Sequence, residues 1–167
     1  MSHCLEGIIL TQANVTWYGH SCFLIELAGS TVVLDPYGVG SVPGLRLPDL
    51  SADAVRVSHS HTDHGAVERV LTSGKPLNFR VREVMGDHDH HNGARRGKNR
   101  ILVIEYEGLR LVHLGDQGCV LTQKQIDEIG HPDLLMLPVG GYFTIDAAEA
   151  RQIMDQLVRL LFCNQFP

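Results

Sequence analysis

The sequence lacks several features that define large classes of proteins. None of its apolar stretches approaches the roughly 20 residues that a membrane-spanning helix needs. The N-terminal segment MSHCLEGIIL lacks the basic region of a secretory signal, and its apolar run is too short. There is no long basic run, and the formal net charge of −5 gives no electrostatic reason to expect a nucleic-acid partner. We therefore expect a cytoplasmic protein that binds neither membranes nor nucleic acids.

Cysteine is sparse as well. The four cysteines, Cys4, Cys22, Cys119 and Cys163, are scattered along the chain and form no CxxC pair. Their spacing indicates neither a disulfide framework nor a cysteine zinc knuckle. A reducing compartment is the simplest setting for such a chain.

What the sequence does have is the composition of a folded domain. Of its 167 residues, 44% are hydrophobic and 20% are charged, and this length favours a single domain over residues 1–167. Strands come first and mix with helices later, which predicts an α/β (α+β) protein with sheet layers covered by helices. The predicted strands are Gly7–Leu10, Asn14–Tyr18, Cys22–Leu27, Thr31–Asp35, Ala54–Ser58, Val81–Met85, Ile101–Tyr106, Arg110–Leu114 and Leu134–Leu137. The predicted helices are Ala66–Leu71, Thr122–Ile129 and Asp146–Leu161.

The most informative segment is HSHTDH, from His59 to His64, which directly follows a predicted strand. Neutral imidazoles and ionised carboxylates are good ligands for a borderline transition metal. Because side chains alternate in an extended chain, His59 and His61 would face the same metal ion. A turn into a helix after them would carry Asp63 and His64 to a second position nearby. One short loop would then serve two adjacent metal ions.

Further ligands are expected at other strand ends on the same edge of the sheets. The cluster His88, His90 and His91 follows a predicted strand, and the residues alone favour His88 without separating it from its neighbours. Asp116 follows another strand in HLGDQG, where a carboxylate flanked by glycines can bridge two cations.

Two other residues are expected to support the ligands. Asp35 ends the strand TVVLD and would orient the metal loop through hydrogen bonds. His113 lies within a strand-like run and is expected to pack or support rather than to bind metal.

Taken together, these motifs resemble a known family. HSHTDH, the strand that ends at Asp35, HLGD and their order resemble the metallo-β-lactamase superfamily of hydrolases. WYGHSCFLIE, HDHHNGARRGKN and LPVGGYFTID narrow the resemblance to small prokaryotic metal-dependent hydrolases similar to L-ascorbate-6-phosphate lactonase. The similarity covers roughly residues 12 to 155. It implies an αββα sandwich with a metal site at one edge of the sheets.

The resemblance also implies a division of the ligands between two divalent metal ions. The first ion would be held by His59, His61 and His88, and the second by Asp63 and His64, with Asp116 bridging both. Imidazole and carboxylate ligands suit Zn, with Mn or Fe as alternatives.

The sequence departs from the family pattern at its end. Relatives have a further strand that ends in a histidine of the second metal site, whereas this chain has no histidine after His131. We therefore expect a C-terminally truncated sandwich without the last strand and helix, with an incomplete second site. The exposed sheet edge would favour a homo-oligomer. Cys119 stands where relatives often have histidine, either as a replacement ligand or as an inert buried thiol.

The expected chemistry is hydrolysis by a metal-bound hydroxide, which needs no Ser or Cys nucleophile. Asp63 would be the catalytic residue that orients the hydroxide and handles its proton. His20, Arg96 and Lys98 would contact a small-molecule anionic substrate. A nucleophilic dyad of Cys22 and His20 lacks a third member and is disfavoured.

Three functions follow from these expectations. The leading one is a metal-dependent hydrolase of a small anionic ester, lactone or phosphoester. The second is a truncated and catalytically impaired member of the family. The third is a nucleic-acid phosphodiesterase, which the negative net charge disfavours.

Overall fold

A computed structural model describes residues 12–157 of the chain. Within this range there are ten strands and two helices. The strands are β1 (Ala13–Trp17), β2 (Phe23–Leu27), β3 (Ser30–Leu34), β4 (Leu50–Ala52), β5 (Ala54–Arg56), β6 (Val70–Thr72), β7 (Arg80–Asp87), β8 (Lys98–Tyr106), β9 (Leu109–His113) and β10 (Leu134–Met136). The helices are α1 (Gln123–Ile129) and α2 (Ala147–Leu157).

The first sheet has the strand order β1-β2-β3-β5. Its pairs are antiparallel except for β3 and β5, which run parallel from Val32↔Ala54 to Leu34↔Arg56. Parallel strands end at the same edge of a sheet. The residues that follow them, Asp35 after β3 and Ser58-His59 after β5, therefore emerge side by side.

The second sheet has the order β10-β9-β8-β7. Strands β7 and β9 both pair antiparallel with β8, so they point in the same direction. The pairing of β7 with β8 extends as far as Asp87↔Lys98. Consequently His88, just after β7, and Asp116, just after β9, lie at the same edge of this sheet.

The core has three layers of side chains. Strand β8 is buried on both faces, with Leu102 and Ile104 in the cluster between the two sheets and Ile101 and Val103 in the cluster under the helices. A third cluster, which includes Tyr37, covers the outer face of the first sheet together with the β4–β6 ribbon. The prediction of sheet layers covered by helices is thus confirmed on the outer face of the second sheet.

Most predicted elements correspond to an observed one, with boundaries shifted by a few residues. The predicted helix Thr122–Ile129 begins one residue later because Thr122 is its N-cap, in a capping box with Gln125. The predicted strand Val81–Met85 is longer at both ends because its pairing with β8 runs from Arg80↔Glu105 to Asp87↔Lys98.

The predicted helix Ala66–Leu71 is wrong. Residues Val67–Arg69 form a single 3-10 turn, and Val70–Thr72 is a strand that pairs parallel with β4. The buried side chain of Val70 packs in the third cluster, and a β-branched residue suits a strand better than a helix. Tertiary pairing therefore overrides the weak helical pattern of this short segment.

Some predictions fall on other parts of the chain. The strand Gly7–Leu10, the end of the helix Asp146–Leu161 beyond Leu157, and the expected lack of a closing strand all lie outside the described residues. Within residues 12–157, neither helix has the length and apolarity required to cross a lipid bilayer.

The packing between the sheets predicts the cost of truncating a core leucine. Leu102 is fully buried between the sheets, so we expect Leu102→Ala to lower the free energy of unfolding by about 2–5 kcal/mol. Leu71 is 77% exposed, and Leu71→Ala should change it by less than about 0.5 kcal/mol. Urea unfolding of both variants measures this, and equal losses would contradict the packing described here.

Candidate metal centre

The HSHTDH segment leaves β5 and makes one tight turn at the edge of the sheets. The backbone N–H groups of His64 and Gly65 both donate to the carbonyl of His61, at 2.9 Å and 2.7 Å. The expected helix after His61 is therefore only this turn. Asp63 and His64 follow this turn, and His64 stays close to the first pair: its ring centroid lies 4.2 Å from that of His59, nearer than the 4.6 Å between His59 and His61.

His59, His61 and His88 form what we call the first ligand group. One ring nitrogen of each lies within 4.8 Å of the others. Nε2 of His59 and both ring nitrogens of His88 are buried without a hydrogen-bond partner. Burial lowers the pKa of His59 to about 4 and also lowers the pKa of His88. Neutral imidazoles with unused nitrogens that converge on one point fit a divalent metal ion.

The neighbouring histidines do not join this group. His90 and His91 are exposed, and Nε2 of His90 lies 3.4 Å from a carboxylate oxygen of Glu149. Geometry thus selects His88 from the three candidates that the residues alone left open.

Asp116 stands between two sets of imidazoles. Its Oδ2 atom lies 3.4 Å from Nε2 of His88 and 3.2 Å from Nε2 of His64. One carboxylate oxygen that faces both imidazoles is the arrangement expected of a bridging ligand.

His20, Asp63 and His64 form what we call the second ligand group. Nε2 of His20 lies 3.1 Å from Nε2 of His64 and 3.4 Å from Oδ2 of Asp63. Burial lowers the pKa of His64, but Asp116 and Asp35 outweigh it and raise the pKa to about 10. The surroundings of this imidazole therefore stabilise positive charge, which also suits a bound cation.

Asp35 joins the HSHTDH loop to strand β9 of the second sheet. Its buried carboxylate accepts hydrogen bonds from the backbone N–H and hydroxyl of Ser58, at 2.6 Å and 2.7 Å, and from His64 Nδ1 and His113 Nε2, at 3.0 Å and 2.9 Å. Burial raises the pKa of Asp35, but the bonds from His113 and His64 outweigh it and hold the pKa well below its usual range. Asp35 and His113 thus occupy supporting positions rather than ligand positions.

Ser58 and Asp89 are two residues that sequence reasoning missed. The hydroxyl of Ser58 lies 2.9 Å from Nδ1 of His59 and so fixes the ring, which leaves its buried Nε2 without a hydrogen-bond partner. Asp89 accepts four backbone N–H bonds, from His91, Gly93, Arg95 and Arg96, and thereby folds the loop after His88. An Asp that begins a glycine-rich loop was the available signal for this role.

The loops after β7 and β9 touch each other closely. The amide N–H of Gly118 donates to the carbonyl of Asp87 at 2.8 Å, and a side chain at Gly118 would collide with the backbone of His88 and Asp89. Asn99, also missed from sequence, accepts from the backbone N–H of Asp116 at 3.1 Å and donates to the carbonyl of Leu114 at 2.8 Å. These contacts fix Asp116 relative to His88.

A pocket of about 450 Å³ opens beside this centre. Asp63, Asp116 and His20 lie in its lining, together with apolar side chains. Arg96 also lines it, with its guanidinium 3.6 Å from the centre of the Phe143 ring. The apolar part of the lining comes from Trp17, Phe23, Met136, Leu137, Pro138, Val139 and Phe143.

Lys98, which was predicted to contact the substrate, lies elsewhere. It is the first residue of β8 and forms an ion pair with Asp87 across the ladder, outside the lining of this pocket.

The two described cysteines do not contribute chemistry to the centre. Cys22 is fully buried in the third core cluster, and burial raises the pKa of its thiol to about 12. Burial also raises the pKa of Cys119, whose sulfur lies 3.6 Å from Nε2 of Gln117 and outside both ligand groups. Neither a Cys22–His20 dyad nor a Cys119 metal ligand is supported.

The placement of His88 predicts a contrast between two neighbouring histidines. We expect His88→Ala to weaken metal binding at the first ligand group by at least about 100-fold, because it removes a buried ligand. The exposed His90 lies two residues further along the chain, and His90→Ala should leave the bound metal unchanged. Metal content after dialysis, measured by mass spectrometry, tests this, and equal metal loss in both variants would contradict the assignment.

Comparisons with known proteins agree with this fold. Residues 14–159 match the beta-lactamase superfamily domain. A UPF0173 metal-dependent hydrolase of Carboxydothermus hydrogenoformans is 29% identical, covering 85% of this chain and 79% of the relative. Another, of Methanoculleus marisnigri, is 30% identical, covering 92% and 82%.

Solved structures show the same fold. A metallo-beta-lactamase superfamily protein of Thermotoga maritima superposes with a TM-score of 0.65 at 35% identity, over 87% of this chain and 71% of that one. The metallo hydrolase Igni18 of Ignicoccus hospitalis has a TM-score of 0.64 at 22% identity, over 87% and 78%, and supports the fold alone. The chain therefore belongs to the metallo-β-lactamase superfamily and is one of its metal-dependent hydrolases.

Proposed function

We propose that the two ligand groups hold two divalent metal ions and that the protein hydrolyses a small ester, lactone or phosphoester with an anionic group. The observation that carries this proposal is the position of Asp116. One of its oxygens faces both ligand groups, and its side chain also lines the pocket. A substrate in the pocket would therefore lie directly against the metal centre.

The ligand set favours zinc, with Mn or Fe as alternatives, because it consists of imidazoles and carboxylates. Ions held there would act as Lewis acids and lower the pKa of a bound water toward neutrality. Asp63 is 35% exposed at the pocket, with Oδ2 3.4 Å from Nε2 of His20. From this position its carboxylate would orient the attacking water and accept its proton.

Arg96 supports the preference for an anionic substrate. Its guanidinium stacks on Phe143 beside the metal centre, and its buried Nε has no hydrogen-bond partner among the described residues. A planar guanidinium held in this way suits bidentate contact with a carboxylate or phosphate. The apolar walls would take a hydrocarbon part of the substrate, so an amphipathic ester or lactone fits the pocket better than a fully polar one.

The competing functions differ in what they require. A nucleic-acid phosphodiesterase needs a basic track for the backbone, whereas the net charge is −5 and the pocket lining contains one arginine. A catalytically impaired member would bind fewer than two metal ions, and metal content therefore distinguishes it from the proposed enzyme.

The activity is tested with zinc-loaded and manganese-loaded protein on a panel of lactones, aryl esters, phosphomonoesters, phosphodiesters and β-lactams. We expect turnover of at least one anionic ester, lactone or phosphoester. His61→Ala should lower its kcat/KM by at least about 100-fold, because His61 belongs to the first ligand group. Unchanged turnover in His61→Ala, or no turnover of any substrate by fully metallated protein, would overturn the proposal.

The role of Arg96 has a matched control in Lys98, the nearby cation outside the pocket. We expect Arg96→Met to raise KM for an anionic substrate about 10-fold or more, through loss of charge-assisted hydrogen bonds. It should have little effect on a neutral ester of similar shape. Lys98→Met should leave both KM values unchanged, and a similar loss in both variants would show that only general electrostatics is involved.

A further inference from the structure

We propose that His20 is a protein ligand of the second metal ion, together with Asp63 and His64 and with Asp116 shared between the two ions. The inference rests on the proposed function, since it completes the second of the two metal sites. It reassigns His20, which the sequence suggested as a substrate contact, to the metal centre itself.

Nε2 of His20 lies at ligand-to-ligand distance from its neighbours in the second ligand group. In a tetrahedral site with metal–nitrogen distances of about 2.0–2.1 Å, neighbouring ligand atoms lie about 3.3–3.4 Å apart. Nε2 of His20 lies 3.1 Å from Nε2 of His64 and 3.4 Å from Oδ2 of Asp63. Nε2 of His64 in turn lies 3.2 Å from Oδ2 of Asp116 and 4.0 Å from Oδ2 of Asp63. Most of these separations are close to the edge of such a tetrahedron.

Nε2 of His64 has more close polar neighbours than it can hydrogen bond. Nδ1 of His64 is hydrogen bonded to Asp35, so Nε2 is the nitrogen that faces the group. This single nitrogen carries either one hydrogen or one lone pair, whereas it lies 3.1 Å from Nε2 of His20 and 3.2 Å from Oδ2 of Asp116. A hydrogen on Nε2 can be donated to Asp116 and a lone pair can accept from His20, so one hydrogen bond is possible and not both. A cation at the centre accounts for both contacts, because each atom then bonds to the ion instead of to its neighbours.

The backbone at His20 has an uncommon conformation. It lies in the tight turn between β1 and β2, and its φ of 50° is in the left-handed region, which is uncommon for a residue other than glycine. The carbonyl of His20 accepts from Nε1 of Trp17 at 2.9 Å, and the N–H of Cys22 donates to the carbonyl of Gly19 at 3.0 Å. Strained backbone held by neighbouring contacts is typical of functional positions.

The test replaces His20 with residues that tolerate a left-handed backbone, so that loss of the imidazole is separated from loss of the turn. His20→Gly and His20→Asn both meet this condition. Each is titrated with Zn²⁺ against a chelator of known affinity, and with Co²⁺ while the visible absorption of the second equivalent is followed. Circular dichroism confirms that the variants are folded, and His90→Ala is the matched control.

For the unaltered protein we expect two equivalents of metal. In His20→Gly the first equivalent should bind as before, while the affinity for the second should fall at least 10-fold and its Co²⁺ absorption should change. Added imidazole should restore the second equivalent in His20→Gly by occupying the vacated space. His90→Ala should match the unaltered protein.

The outcomes separate this inference from the proposed function. Two equivalents bound equally well by His20→Gly and by the unaltered protein would overturn the role of His20 and leave the two-metal hydrolase intact. If the unaltered protein binds only one equivalent of metal, the second metal site is overturned and the first metal site stands. No bound metal in the unaltered protein would overturn the proposed function as well.

Discussion

The carboxylate of Asp35 is the contact on which the geometry of the centre depends. It lies beneath the HSHTDH loop and accepts four hydrogen bonds, which reach that loop through Ser58 and His64 and the second sheet through His113. A buried charge with fewer partners would cost several kcal/mol, whereas these four donors stabilise it. The two sheets are therefore joined by a polar contact at the edge where the ligands emerge, while apolar packing joins them elsewhere.

The histidines of the centre are divided electrostatically by their surroundings. At His59 and His88, burial outweighs the nearby Asp116 carboxylate and lowers the pKa of both rings. At His64, the contacts with Asp116 and Asp35 outweigh burial and stabilise positive charge on the ring. Two imidazoles of the first ligand group are thus prepared by desolvation, whereas the surroundings of His64 in the second favour positive charge.

Much of the fold and the centre could be predicted from the sequence, because the ligands follow strands whose apolar alternation is clear. The parallel arrangement of β3 with β5 then brings Asp35 and His59 together, as expected for strands that end at one edge. Ser58, Asp89 and Asn99 could not be assigned, since their roles depend on backbone groups distant in sequence or on loop conformation. The strand Val70–Thr72 was missed for a related reason: its partner, β4, is too short to be recognised by periodicity.

The close approach of Gly118 to the backbone of His88 has a mechanical consequence. A glycine without space for a side chain, with its N–H bound to Asp87, makes the loops after β7 and β9 a single rigid unit. His88 and Asp116 are therefore held at one spacing by the second sheet, whereas His59, His61, Asp63 and His64 are positioned by the loop that follows β5 of the first sheet.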